Sequence, residues 1–534
     1  MNRSLVAALM ALTLTAPAAS LDARTSRPPA AVEEVSAADL LARLRDGSVT
    51  SEALVRAYLD RIARLDRSGP ALHAIISTNP DALAEAKRLD AERKAGKLRG
   101  PLHGLPILIK DNIETKDAMP TTAGSLALKD NRTGRDAPVV ARLRLAGALI
   151  LGKTNLSEWA NIRSTNSSSG WSGIGGLVRN PYALDRTACG SSSGTGAAIA
   201  ASLGAVGVGT ETDGSIVCPS SMNGLVGLKP TVGLISRIHI VPISHSQDTA
   251  GPMGRSVRDV ALLFASMVGR DMADPPTKDA DAHIRDYAAT LSPDALKGVR
   301  LGVVRPEMPA ALTERFEAAL AVLKGAGAIL VDIKQPKLDG MDEAEFDVLK
   351  YELKAGLDVY LAKTPKSVKS RTLADVVAFN TAHADRELAL FGQEIFEDAA
   401  KLGDLDSPDY IAARAKSLAL AREAGLDVML DGNNVAAIIE PSYGLPWLAD
   451  PIAGDKYSGP SASSLPAIAG YPHLTVPMGL ARGLPVGLSF IGRANSDGDL
   501  LRYGYAFEQA GNLRQPPRYL PTAPTGNLLD PVTP

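Results

Sequence analysis

Gly209-Thr210-Glu211-Thr212-Asp213-Gly214-Ser215-Ile216-Val217-Cys218-Pro219 follows the short apolar run Val206-Gly207-Val208-Gly209, so a serine sits on a glycine turn just past a strand. Gly214 supplies a permissive backbone beside that serine. The backbone amides across Thr212, Asp213, Gly214 and Ser215 can form a nest of donors for an anionic oxygen. Upstream, Cys189-Gly190-Ser191-Ser192-Ser193-Gly194-Thr195-Gly196 leads into Ala197-Ala198-Ile199-Ala200-Ala201-Ser202-Leu203, a small-residue helix suited to close packing. Further upstream still, Gly104-Leu105-Pro106-Ile107-Leu108-Ile109-Lys110 is an apolar strand that ends in a lysine and runs into Asp111-Asn112. A serine is a poor nucleophile until a base takes its proton. Burial disfavours an ammonium, so a lysine closing a buried strand can be that base. Taken singly, these residues read as ordinary glycine-serine turns and a strand-end lysine. Together, Ser215 as nucleophile, Ser191 as relay and Lys110 as base form a candidate catalytic set.

The surrounding pattern is α/β. Ser36 with Asp39 resembles a capping box before a stripe of Leu40, Leu41 and Leu44 that stops at Gly47. Thr50 caps a second helix with Leu54, Tyr58, Ile62 and Leu65 on one face. A third helix is expected over 80–95, a fourth over 138–146, and a short buried strand over 148–151. Strands at 301–304 and 329–333 flank a helix at 313–323, and strands return at 435–439 and 486–491. This rhythm predicts a sheet with helices on both faces. Residues 341–425 carry mostly helical pattern, and they and residues 164–171 are expected to line the pocket. The Ser/Gly-rich stretch 164–176 precedes a buried helix rather than a new domain, which predicts a buried loop instead of a linker. No repeat of fixed period is present, and the Pro-rich tail after Asn512 is expected to drape over the surface.

The 534 residues are 45% hydrophobic, enough for a large core. A net charge of −2 gives no electrostatic case for nucleic acid or an anionic membrane, which need a basic surface. At 4% aromatics, platforms for stacking bases are not expected either. Arg3, the apolar run 5–15 and Ala16-Pro17-Ala18 have the three parts of a secretory signal. The run is too short for a span, which needs roughly 20 apolar residues, and nothing later looks transmembrane. The expected plan is a signal peptide over 1–18, a flexible leader over 19–33, one domain over 34–520 and a Pro-rich tail over 521–534, with a periplasmic or secreted location. The two cysteines, Cys189 and Cys218, lack the spacing of a zinc or CxxC redox site; each lies close to a candidate serine, and they read as small buried thiols, with pairing in an oxidising compartment left open as the alternative.

Competing motifs are weaker. Gly190-Ser191-Ser192-Ser193-Gly194 formally fits the G-x-S-x-G elbow with Ser192 at its centre, but Asp185-Arg186-Thr187-Ala188-Cys189 before it is not strand-like. The elbow also requires a histidine. His103, His239, His245 and His473 stand in no distinctive setting. Gly204, Gly207 and Gly209 lack the order of a dinucleotide fingerprint, and the acidic clusters 271–281 and 404–409 lack metal spacing.

The Lys110, Ser191 and Ser215 elements, in this order, resemble the amidase signature family of Ser–Ser–Lys amide hydrolases. The resemblance runs over most of the chain after residue 33. It includes Gly152-Lys153-Thr154-Asn155-Leu156-Ser157-Glu158, Gly224-Leu225-Val226-Gly227-Leu228-Lys229-Pro230-Thr231, Ala469-Gly470-Tyr471-Pro472 and Leu484-Pro485-Val486-Gly487. The wording from Thr210 to Pro219, with Pro242-Ile243-Ser244 and Asp248-Thr249-Ala250-Gly251-Pro252-Met253, is most similar to bacterial peptide amidases. Asp213 stands where a glycine is usual, Val217 where an arginine often follows the nucleophile, and Ser193 where a second glycine is common; the first two leave the substrate's charge preference open.

The resemblance implies one large α/β domain around a central mixed sheet, with helical insertions shaping the pocket. It implies cleavage of a small or short-peptide carboxamide to acid and ammonia through an acyl-enzyme, with the oxyanion at the Thr212, Asp213 and Gly214 amides. No metal or organic cofactor is implied. It also implies a cis peptide bond at Gly190–Ser191, aiming Ser191 within roughly 2.6–3.2 Å of both Lys110 and Ser215. Two alternatives stand beside it: an amidotransferase-type subunit supplying ammonia, and a non-catalytic periplasmic peptide binder. The secretory signal and the lack of a basic surface weigh against the first, and the intact Lys–Ser–Ser set against the second.

Overall fold

The computed structural model describes residues 30–524. The signal peptide expected over 1–18, most of the leader and the end of the tail lie outside the described residues. Within the stretch read as leader, Val32 is buried in the core and Glu33 pairs with Arg61.

Eleven strands form one mixed sheet. Across it they run Ile75–Thr78, Leu149–Thr154, Pro106–Lys110, Gly207–Glu211, Thr249–Gly254, Val226–Lys229, His473–Ala481, Leu484–Ile491, Ala437–Pro441, Arg300–Val304 and Ile329–Ile333. The Pro106–Lys110 strand lies parallel to both neighbours, with Leu108 opposite Gly207 and Ile109 opposite Val208. That register sets the carboxyl ends of the Lys110 and Thr210 strands side by side. The central strands are buried along their whole length, as expected for a sheet covered by helices.

The helices start where the sequence marks them. Ser36 and Thr50 accept from the backbone amides of Asp39 and Ala53 and open Ala37–Arg45 and Ser51–Leu65. The helix Ser193–Ala200 is wholly buried and packs on the Lys110 and Thr210 strands; only residues as small as its Gly, Ala and Ser allow so close an approach. One large hydrophobic cluster covers the sheet. A second joins the helix Met341–Ala362 to Leu373–Ala382 and Glu394–Ala400, with Trp159 against Phe396, and builds the helical region over the site. The Ser/Gly-rich stretch is the buried loop it was expected to be: Ser164, Ser167, Ser168 and Ser169 are buried, and Trp171–Ser172 pairs with Gly176–Leu177. The tail packs on the body as far as it is described, with Tyr519 bonded to Pro181 and Ala523 buried. Among the described residues no helix is long and apolar enough to cross a membrane.

Candidate active site

Lys110 ends its strand fully buried, and its Nζ donates to Ser191 Oγ at 2.7 Å, to Thr210 Oγ1 at 2.9 Å and to the Thr210 carbonyl at 3.2 Å. Asn112 donates to the same Thr210 hydroxyl at 2.9 Å and fixes its orientation. Burial pushes the Lys110 ammonium down to about 7, against the opposing pull of the Glu211 and Asp248 carboxylates. A neutral amine is therefore accessible near neutral pH, aimed at a serine hydroxyl.

Ser191 is fully buried at the start of the helix Ser193–Ala200, and the Gly190–Ser191 peptide bond is cis, as the family resemblance implied. A Cβ at Gly190 would overlap the Ser157 hydroxyl, so only glycine fits before the serine. Ser215 lies on the turn between the strand Gly207–Glu211 and the helix Val217–Met222 and opens onto a cavity of about 370 Å³. The two serine segments are joined through the Ser192 amide, which donates to the Ser215 carbonyl at 3.1 Å. Among the described residues no hydrogen bond links the Ser191 and Ser215 hydroxyls. Ser191 is engaged by Lys110 instead, and in substrate-free enzymes such contacts commonly tighten only in the substrate complex.

The donor nest has a defined composition. Glu211 Oε2 accepts from the amides of Ile216 at 2.7 Å and Val217 at 3.0 Å, which ties the turn down. The amides of Thr212, Asp213, Gly214 and Ser215 find no protein acceptor among the described residues and remain available to an oxyanion. Gly214 has φ +75°, and a Cβ there would strike the Tyr443 hydroxyl, so the turn requires glycine twice over. Thr212 donates through Oγ1 to Asp248 at 2.5 Å and serves as a brace.

Ser192, the centre of the competing elbow, is fully buried. Its hydroxyl donates to the Thr210 carbonyl at 3.1 Å and accepts from the Thr210 amide at 3.3 Å, which locks it to the strand. His103 is held by the Leu89 carbonyl and His473 by the Ser489 hydroxyl, while His239 and His245 line a neighbouring cavity with Thr210, Thr212 and Asp248.

One reading is corrected. Cys189 and Cys218, whose pairing the sequence left open, form a disulfide spanning 29 positions rather than two separate thiols. It ties the residue before Gly190 to the helix after Ser215, and both cysteines line the cavity. The bond closes the same two segments that the serines Ser191 and Ser215 were expected to bring together. Other participants also went unrecognised: Thr210, Glu211, Asp248 and the aromatic wall of Tyr443, Trp447 and Tyr457, packed edge to face. Thr210 and Glu211 stood inside the quoted serine motif, where their alternation toward Lys110 and toward the turn was the available signal. Of the segments expected to line the pocket, Ser169 from 164–171 and Leu349 from 341–425 do so.

Comparison with known proteins agrees with this geometry. The amidase family model matches residues 53–501. The native peptide amidase of Stenotrophomonas maltophilia is 49% identical, with a TM-score of 0.86 over 91% of this chain and 99% of its own. A peptide amidase crystallised with the competitive inhibitor chymostatin is also 49% identical, with a TM-score of 0.88 over the same shares. A "Probable amidase" of Arabidopsis thaliana is 39% identical over 500 residues, 92% of each chain. The chain belongs to the amidase family, and it is an amide hydrolase built as a single domain on a mixed sheet.

Proposed function

We propose that the protein hydrolyses the C-terminal carboxamide of short peptides to the acid and ammonia through Ser215, Ser191 and Lys110. The observation that carries this reading is the 2.7 Å bond from a buried Lys110 amine to Ser191, next to a cavity that opens at Ser215. Ser215 Oγ attacks the carbonyl carbon, its proton moves to Ser191, and the Ser191 proton moves to Lys110 Nζ. The amides of Asp213, Gly214 and Ser215 hold the oxyanion. As the C–N bond breaks, the leaving nitrogen takes a proton back through the relay and departs as ammonia. Water then attacks the acyl-enzyme, gives a proton to the relay and releases the carboxylic acid and Ser215.

The similarity to peptide amidases at 49% identity and the aromatic wall, which suits an apolar peptide side chain, support peptides over simple amides. The test is a panel of C-terminally amidated peptides against free acylamides, with ammonia as the readout. Peptide amides should lead by at least tenfold in kcat/KM, roughly the value of one buried contact; equal or better turnover of simple acylamides removes the peptide assignment. The Arg3 to Ala18 pattern supports export. Mass spectrometry of exported protein should place its first residue near Ala19, and a retained Met1 in the cytoplasmic fraction contradicts that.

A further inference from the structure

We propose that the cavity beside the start of helix Met341–Ala362 and the strand Ala437–Pro441 is a cation subsite, which takes the ammonium or guanidinium of a peptide whose amide group lies at Ser215. The inference rests on the peptide reading above.

This cavity, about 340 Å³, is bounded by Gln335, Asp342, Glu440, Ser461 and Ser464. Ser461 and Ser464 also line the cavity at Ser215, so the two spaces share a wall. Glu440 is 6% exposed, and among the described residues its carboxyl has no hydrogen bond or ion pair. Its oxygens open onto the cavity with no protein partner, so the carboxyl is available to a ligand. Burial alone pushes it up to about 8, with no neighbouring cation to hold it down. The surroundings are acidic as well, with Asp213 and Glu345 pushed up by burial like Glu440. Asp342 stands at the cavity, Asp213 Oδ1 has no partner, and Glu345, bonded to Gln247, is pushed up by burial and by Asp213. Among the described residues no lysine or arginine lines either cavity. A cation entering from the Ser215 side gives the Glu440 carboxyl its first charged partner and draws it toward the ionised form, which makes the bond charge-assisted. A peptide with an acidic group there finds no cation to pair with among the lining residues.

The substrate cation has two possible sources, a basic side chain or the free N-terminus, and the experiment separates them. kcat/KM is measured for amidated di-, tri- and tetrapeptides carrying lysine or isosteric norleucine at each position, with free or acetylated N-termini. At one position or one length the cationic member should lead by about tenfold or more, the value of a hydrogen bond to a charged group. In Glu440→Gln that ratio should fall to near one. Each ratio is taken within one enzyme, so any loss of folded protein cancels, and the wild-type ratios stand alone if the variant is insoluble. Ratios near one throughout the wild type, or a preference unchanged in Glu440→Gln, overturn the subsite while norleucine peptides are still hydrolysed. No turnover of any peptide amide overturns the peptide reading as well.

Discussion

The pH dependence of kcat/KM reports directly on Lys110. If the base must be neutral, activity is present above its pKa and lost below it. Burial sets that value at about 7 rather than the ordinary 10.5. A single group titrating at about 7 leaves the rate within about 10% of its plateau at pH 8, cuts it about tenfold at pH 6 and about a hundredfold at pH 5. An ordinary exposed lysine would leave under about 1% of the enzyme active at pH 8. The assay is ammonia release at low substrate between pH 5 and 9 at fixed ionic strength, with circular dichroism confirming the fold at each point. Asp111 also titrates in this range, held up to about 6 by burial, so the acid limb needs assignment. Asp248→Asn provides it. The Asp248 carboxylate favours the Lys110 ammonium, so removing its charge should move the limb to lower pH. A flat profile down to pH 5, or a limb that moves upward in Asp248→Asn, refutes the assignment of Lys110 as the base.

Ser191→Ala should cost several orders of magnitude in kcat, because relay and nucleophile act as one unit, while Ser192→Ala, which loses only its bonds to Thr210, should lose far less; equal losses measured by ammonia release would return Ser192 to the site. Cys189→Ala with Cys218→Ala opens a loop of 29 positions, worth about 3–4 kcal/mol by chain entropy, or a fall in Tm of about 3–4 °C for a chain of this size by differential scanning fluorimetry. A wild-type Tm unmoved by reductant, with thiols titrating as free, contradicts the bond.

The site was legible because its three parts each carry a local signature. Lys110 ends a run of five buried strand residues, Ser191 opens a helix of small residues, and Ser215 rides a turn that only Gly214 permits. Helix starts were legible for the same reason, since Ser36 and Thr50 satisfy backbone amides three residues on. Strands were harder. Val226–Lys229 and His473–Ala481 are buried almost throughout and show no alternation to read. Thr249–Gly254 places Gly and Pro where strand formers are usual, so its pairing with Gly207–Glu211 comes from the sheet rather than from propensity. The Glu440 cavity was hidden because it depends on residues that only tertiary packing brings together, and the cysteine pairing stayed open for the same reason. Thr210 shows how narrow the margin was: it lay in the motif, but its two bonds from Lys110 exist only because two parallel strands end in register.

The most direct test of the catalytic account is rapid-quench mass spectrometry of the enzyme turning over an amidated peptide, followed by proteolysis and mapping. The account predicts a transient adduct, the mass of the peptide amide less ammonia, on the fragment carrying Ser215, and its absence from Ser215→Ala together with nearly all turnover. An adduct on Ser191 or Ser192, or a Ser215→Ala enzyme that still releases ammonia at the wild-type rate, would contradict it.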